Sequence, residues 1–315
     1  MKAAINTRQL TKHFGDFLAV DAVDLEVWPG EIFGFLGPNG AGKTTMIMML
    51  LGILRPTSGS VHVLGQEMSE NALSLKARVG VVSEHQSLYG DMTAEEYLGF
   101  FATLYAVANA ERRIGELLEV LDLDDRRQSR VKTFSRGMQQ KLSAARALLH
   151  SPDLLVMDEP ASGLDPYGIS QMRELIYEHK RQGKTVFLSS HILSEIEQTA
   201  NRVALIARGR IVGQGSVSEI RARLAPDAKH VLEWEGNTEA VLQALGDIPG
   251  LRHIQHKGMK LILTISNERD ARADISRAVT GAGGIVLGLS RQEMSLEEAF
   301  LTVTDDRVRR LAASG

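Results

Sequence analysis

The nine residues GPNGAGKTT, positions 37 to 45, limit what this chain can fold into more than any other stretch. They match G-x-x-x-x-G-K-[ST]. An apolar run, EIFGFLG (31 to 37), leads in, and a second, KTTMIMMLLGIL (43 to 54), leads out. The pattern needs a buried strand before the loop and a helix after it, and both are written here. The glycines let the backbone close around a phosphate, with successive N–H groups facing the anion. Asn39, Gly40, Ala41 and Gly42 form that cradle. Lys43 is placed to reach the β and γ phosphates, Thr44 to set its hydroxyl on Mg²⁺, and Thr45 to touch the α phosphate.

A second stretch completes a phosphate site. In LLVMDEP (154 to 160) four apolar residues bury a strand, and Asp158 and Glu159 emerge at its end. In P-loop enzymes an Asp here holds Mg²⁺. Glu159 would then polarise the attacking water. His191 follows the strand TVFLSS. It reads either as a surface residue or as a neutral imidazole close to the γ phosphate. A third stretch, TFSRGMQQKLSAARALLH (133 to 150), starts a helix at Ser135, which can cap it and leave the positive dipole end facing outward. Spacing alone leaves two readings open. Ser135 is an ordinary N-cap, or it is a second anion site used when two copies meet head to tail.

The rest of the chain sorts around these stretches. Residues 3 to 28 alternate as an antiparallel β region. Residues 93 to 150 carry helical periodicity and read as a helical subdomain inserted between strands. After Pro152 strands and helices alternate again, through ILSEIEQTA (a helix) to RVALIARGRIVGQG (a hairpin). Residues 216 to 228 read as a linker with a short helix. From 229 the order is β-α-β-β-α-β, a ferredoxin-like arrangement, closed by a helix SLEEAFLTVTDD that opens with a Ser-x-x-Glu capping box. The implied domains are 1–220, with the helical subdomain at about 88–150, a linker at 221–228 and an accessory domain at 229–315.

Composition removes several function classes. The net charge is −3, which argues against a nucleic-acid surface. The absence of cysteine excludes disulfides and thiol chemistry and is compatible with the cytosol. The first residues lack the apolar core of a signal peptide. The most apolar run, MIMMLLGIL (46 to 54), is too short to span a bilayer. Any membrane role is expected to come through a partner. His230, His253 and His256 are too scattered for a metal site to be preferred over paired strands.

At this point the chain resembles the ATP-binding subunits of ABC transporters. Six features match in order: GPNGAGKTT, the loop near VVSEHQSLY, FSRGMQQ, LLVMDEP, SGLD and SSH, together covering about residues 1 to 220. GEIFGFLGPNGAGKTT and SLEEAFL look like the exporter branch that serves drugs, antibiotics, polysaccharides and related cargo. The resemblance implies a P-loop ABC ATPase fold, α/β, with an antiparallel β region, a helical subdomain and a small α+β ferredoxin-like C-terminal domain. It implies Mg²⁺ and ATP bound and hydrolysed at a head-to-tail homodimer interface, driving a separate integral membrane permease at the cytoplasmic face of the cell membrane. Phe14 matches the aromatic that stacks on adenine. Ser135 and Gly137 match the signature that contacts the γ phosphate of the opposite subunit's ATP. Asp165 matches the loop that communicates across the dimer, and His191 the switch histidine. The helical subdomain would meet the permease, and the C-terminal domain is expected to add dimer contacts.

Two departures stand out. The usual signature is Leu-Ser-Gly-Gly-Gln, and here it reads Phe134, Ser135, Arg136, Gly137, Met138. Arg136 either adds positive charge near phosphate or faces solvent. The usual coupling-loop Gln aligns with Glu84, with Gln86 two residues on; a carboxylate at Glu84 would still bind Mg²⁺. The alternative is a soluble ABC ATPase acting on ribosomes or DNA. It is weakened by the lack of a long coiled-coil insertion and of a second cassette. A GTPase lacks its Asn-Lys-x-Asp motif here, and an inactive scaffold would not need Lys43, Asp158, Glu159 and His191 together. No nucleic-acid partner is expected.

Overall fold

The computed structural model describes residues 2–68, 72–224, 227–258, 260–266 and 270–292, the side chains of 222–224 aside. The chain divides into two compact units, Met1–Val217 and Ser218–Gly315.

The first unit opens with a hairpin, β1 (Ile5–Phe14) and β2 (Phe17–Val27), whose alternating pattern buries Ile5, Leu10, Val23, Leu25 and Val27 on one face. Strand β3 (Ile32–Leu36) is buried at every position and leads through the 37–42 loop into helix α1 (Lys43–Leu50). Strands β4 (Ser58–Val63) and β5 (Gln66–Glu67) join the hairpin in an antiparallel sheet of order β2-β1-β4-β5. A short helix α2 (Leu73–Lys76) precedes strand β6 (Val79–Val82). Three helices follow: α3 (Ala94–Leu104), α4 (Ala110–Val120) and α5 (Arg136–Leu148). Helix α3 starts at a full capping box, with Thr93 and Glu96 each accepting the other's backbone N–H. Then come β7 (Leu154–Asp158), α6 (Pro166–Arg181), β8 (Thr185–Ser190), α7 (Leu193–Glu197), β9 (Arg202–Ala207) and β10 (Arg210–Ser216).

Six strands form the second sheet, ordered β10-β9-β3-β8-β7-β6. All run parallel except β10, which pairs antiparallel with β9 across Arg208 and Gly209, both at positive φ. Parallel strands covered on both faces read as unbroken apolar runs, which is why β3 and β7 were so visible in sequence. Helix α1 touches β2, β4 and β7. Its buried Met46, Ile47, Met49 and Leu50 share one core cluster with residues of both sheets, including Phe33, Phe35 and Phe187. The helical subdomain is pinned by Arg146 of α5, which donates to the Val81 carbonyl at 3.0 Å and to the Tyr97 hydroxyl at 3.1 Å.

The second unit contains α8 (Val217–Leu224, beginning at the division), β11 (Asp227–Glu235), α9 (Thr238–Gly246), β12 (Leu251–Lys257), β13 (Lys260–Ser266), α10 (Arg272–Gly281) and β14 (Ile285–Gln292). Its sheet is antiparallel throughout, ordered β12-β13-β11-β14. Numbered within the unit this is 2-3-1-4, the ferredoxin-like order. Leu232, Leu261, Leu263 and Ile265 on one sheet face pack with Val241, Leu245, Ile275 and Val279 of the two helices.

Several boundaries differ from the sequence reading. The short helix expected within 216–228 is α8, whereas 227–228, read as linker, lies in β11. Helix α7 is shorter than ILSEIEQTA because Thr199 bonds back to the Glu195 carbonyl and Asn201 is taken up by the Ile32 N–H. The terminal SLEEAFLTVTDD helix lies outside the described residues.

One buried side chain gives the fold a pH signature. His179 of α6 is 4% exposed, and burial, helped by the nearby Lys184 ammonium, pushes its pKa from the ordinary 6.5 down to about 4. The folded protein therefore keeps this imidazole neutral while the unfolded chain protonates it below pH 6.5, so its contribution is full above 6.5 and is lost as pH falls toward 4. His179→Phe should flatten the loss of urea stability between pH 6.5 and 4. An unchanged slope would show that other groups set it.

Candidate functional site

The loop, the acids and the histidine found in sequence sit side by side because of strand order. Strands β3, β8 and β7 are adjacent and parallel, with Leu36 opposite Ser190 and Asp158 opposite Ser189. Their carboxyl ends therefore deliver the 37–42 loop, His191 and the Asp158–Glu159 pair to one edge. Ligands bind at that edge in open α/β sheets.

The loop needs its glycines. Gly40 and Gly42 have φ of 77° and 108°, and a Cβ on Gly42 would stand 2.6 Å from the Ala19 carbonyl oxygen. Asn39 and Gly40 are exposed and Ala41 is buried. Gly42 caps α1 without a side chain, so the first-turn N–H groups of α1, from Lys43 onward, are left to a ligand or water. Lys43 folds back over the loop, donating to the carbonyls of Gly37 at 2.8 Å and Pro38 at 3.3 Å. Thr44 is exposed and donates its hydroxyl proton to Asp158 Oδ2 at 2.9 Å; Thr45 is half-buried.

The acids are held as firmly. Asp158 and Glu159 are each 5% exposed. Asp158 Oδ1 accepts from the hydroxyl of Ser189. The Glu159 N–H donates to Ser189 at both its hydroxyl and its carbonyl, each 3.2 Å away. Glu159 has φ of 50°, a left-handed backbone for a residue with a Cβ. Its Oε1 lies 3.2 Å from the Lys43 ammonium, and its Oε2 meets His191 Nδ1 at 2.8 Å and the His191 N–H at 3.3 Å. A carboxylate on Nδ1 fixes the proton there and turns Nε2 outward. The His191 side chain is 44% exposed.

The structure joins Lys43, Thr44, Asp158, Glu159 and His191 into one contact network. It does not bring the other predicted residues into it. Ser135 is exposed and caps α5, its hydroxyl accepting from the Met138 N–H at 3.2 Å. Gly137 packs against the 162–164 turn, where an added Cβ would lie 3.1 Å from the Gly163 carbonyl. Arg136 turns onto the same segment and donates to the Ser162 hydroxyl at 2.8 Å. Asp165 caps α6, accepting from Gly168 N–H at 2.7 Å. Phe14 is 49% exposed at the end of β1, with the Lys12 ammonium 5.2 Å above its ring. Glu84 has one ion-pair neighbour among the described residues, His85, at 3.9 Å. Gln86 instead turns inward to Gln140 Oε1 at 3.0 Å.

Sequence reasoning missed Ser189, although it lies within the quoted SSH. Only the β7–β8 register reveals that it faces Asp158. Gln140 and Ser162 carried no separable signal.

The ABC transporter family profile matches residues 20–162. The chain is 35% identical over 302 residues to the bacitracin transport ATP-binding protein BcrA of Bacillus licheniformis, covering 96% of this chain and 97% of that protein. It is 36% identical over 318 residues to the Nod factor export ATP-binding protein I of Cupriavidus metallidurans, covering 98% and 100%. Among solved structures, an ATP binding subunit of an ABC transporter superposes with a TM-score of 0.66 at 31% identity, over 70% of this chain and 92% of that one.

The buried Lys43–Glu159 pair sets a stability test. Removing one partner of a buried ion pair strands the other charge. In nucleotide-free protein, Lys43→Ala should lower the unfolding free energy by about 3 kcal/mol. Adding Glu159→Gln to it should restore most of the loss. Strictly additive, sub-kilocalorie effects in urea titrations would show that the pair is not coupled.

Proposed function

The chain belongs to the ABC transporter family as an ATP-binding subunit that hydrolyses ATP, and from that premise we propose that it is the Mg-ATP-driven motor of a membrane exporter. The observation that carries this reading is the contact network in which Lys43, Glu159 and His191 meet beside Thr44 and Asp158.

In this reading the phosphates of ATP take the place of the Glu159 carboxylate at Lys43. The α1 N-terminus and the loop N–H groups hold the α and β phosphates. The Thr44 hydroxyl and the Asp158 carboxylate are hard oxygen donors already within hydrogen-bonding distance of each other, a donor set that suits Mg²⁺. Bound there, Mg²⁺ would neutralise charge on the phosphates. Glu159, released from Lys43, orients and polarises the water that attacks the γ phosphate. His191, held on Nδ1 by Glu159, presents Nε2 as an acceptor for a proton of the attacking water beside the γ phosphate. Phosphoryl transfer needs little beyond such positioning and charge neutralisation. Phe14, exposed at the sheet rim, stacks on adenine.

Ser135 and Gly137 lie outside this network; in their own chain Ser135 caps α5 and Gly137 packs against the 162–164 turn. They fit a role across a head-to-tail homodimer, where each copy's α5 start covers the ATP of the other, with Asp165 beside it. Arg136, tied to Ser162, steadies that surface from behind. The permease is expected to dock on the helical subdomain, where Tyr89, Phe100 and Leu104 are 51%, 45% and 64% exposed. Among the described residues no helix is long and apolar enough to cross a membrane, so attachment at the cytoplasmic face through a permease fits. Export is the direction favoured by the relatives' names.

Glu159→Gln keeps the shape and hydrogen-bonding reach of the side chain but removes its charge. It should bind ATP and lose about 10²- to 10⁴-fold in turnover. Purified from its native membranes with Mg-ATP, the tagged variant should bring a polytopic membrane protein with it, identified by mass spectrometry. Ribosomal proteins or nucleic acid without a membrane protein would instead support a soluble ABC ATPase.

A further inference from the structure

Gln140 is a polar side chain that the phosphate site does not use. It lies on α5, five positions beyond Ser135, and is 1% exposed. A buried primary amide is costly unless its oxygen and nitrogen find partners. Both do. The Oε1 accepts from Gln86 Nε2 at 3.0 Å, and the Nε2 donates to the Pro160 carbonyl at 3.2 Å. Gln86 spends its other N–H on the carbonyl of Ser83. One amide thus bridges three segments: the loop after β6, helix α5, and the turn after β7.

The last of these is the turn that aims Glu159. Its backbone is left-handed at Glu159, a conformation that persists only where the surroundings impose it. The Ser189 hydroxyl and carbonyl hold the Glu159 N–H, and the Glu159 carbonyl accepts from Ser162 N–H at 3.0 Å. Pro160 has no N–H, so its carbonyl is the one polar backbone group by which the turn can be held at that residue. Gln140 holds it.

We propose that Gln140 is a positioning residue that relays the position of the 83–86 loop to the Glu159–Pro160 turn. A shift of Gln86 moves the amide, and the amide moves the Pro160 carbonyl and with it the aim of the Glu159 carboxylate. The relay rests on the reading of Glu159 as the group that orients the attacking water. An amide is required because it must accept at one end and donate at the other. A carboxylate at 140 would set an acceptor against the Pro160 carbonyl, and a thioether would reach without bonding either partner.

The test uses the full chain with Gln140→Met, Gln86→Ala, the double variant and Glu159→Gln. ATP affinity, read by displacement of a fluorescent nucleotide, should stay within about twofold, because none of the relay residues touches the phosphate loop. Turnover should fall roughly tenfold or more in Gln140→Met, a size set by how steeply catalysis depends on placement. Gln86→Ala should also lower turnover, and the double variant should fall no further than Gln140→Met, since the two act through one connection. Unchanged turnover in Gln140→Met, equal losses in affinity and turnover, or losses that multiply in the double variant would each overturn the relay. Should Gln140→Met not fold, Gln86→Ala decides, because its side chain sits in a half-exposed loop; unchanged turnover there overturns the proposal. A Glu159→Gln variant that hydrolyses ATP at the normal rate would overturn the reading of Glu159 and the relay together. If Glu159→Gln is inactive and the relay variants are normal, only the relay fails.

Discussion

The ion pair between Lys43 and Glu159 is the contact on which the site's geometry turns. It joins the first turn of α1 to the end of β7 across the intervening β8, with both side chains almost fully buried. Two opposite charges this far from water are tolerated because each has further partners: loop carbonyls for the ammonium, and His191 for the carboxylate. The ammonium's bonds to the Gly37 and Pro38 carbonyls also fold the phosphate loop back on itself. In the proposed function a nucleotide must offer Lys43 a better partner than Glu159, which the phosphates of ATP would supply. On that proposal, binding and the release of Glu159 for its water would be one event.

What surrounds that pair serves to keep the acids in place. Ser189 reaches across from β8 to both Asp158 and Glu159, a contact made possible by the parallel register that sets Asp158 opposite Ser189. Gln140 holds the next residue from the other side. Glu159 therefore keeps an unfavourable backbone conformation because its neighbours on two sides impose it. The same segment is continuous with the 162–164 turn, onto which Arg136 and Gly137 pack. The start of α5 and the acid strand are in this way parts of one braced surface.

Much of this was legible beforehand. The phosphate loop and the acid strand carry strong local patterns, because a buried parallel strand is apolar at every position and a phosphate cradle needs glycine at fixed places. The ferredoxin-like order was legible from periodicity, since each of its elements is amphipathic. Other features depend on contacts between distant segments and leave no local trace. Ser189 and Ser190 are adjacent in sequence, and only strand pairing says that the first meets Asp158. Glu84 and Gln86 are two apart, and only the packing of α5 shows that Gln86 is the one that turns inward. Arg136 read equally well as a phosphate ligand or a solvated side chain, and its partner is instead Ser162, 26 positions away. The β11 start was missed because Asp227 and Ala228 look like linker until β13 pairs with them.

In the proposed function the α5 start of one copy completes the ATP site of another. Size-exclusion chromatography with light scattering on Glu159→Gln, with and without Mg-ATP, tests it most directly. The expected result is a monomer that becomes a dimer on adding ATP, and a Glu159→Gln/Ser135→Arg double variant that still binds ATP yet stays monomeric. A double variant that dimerises as well as the single one would rule out a shared ATP site at α5 and leave Ser135 as nothing more than the cap of its helix.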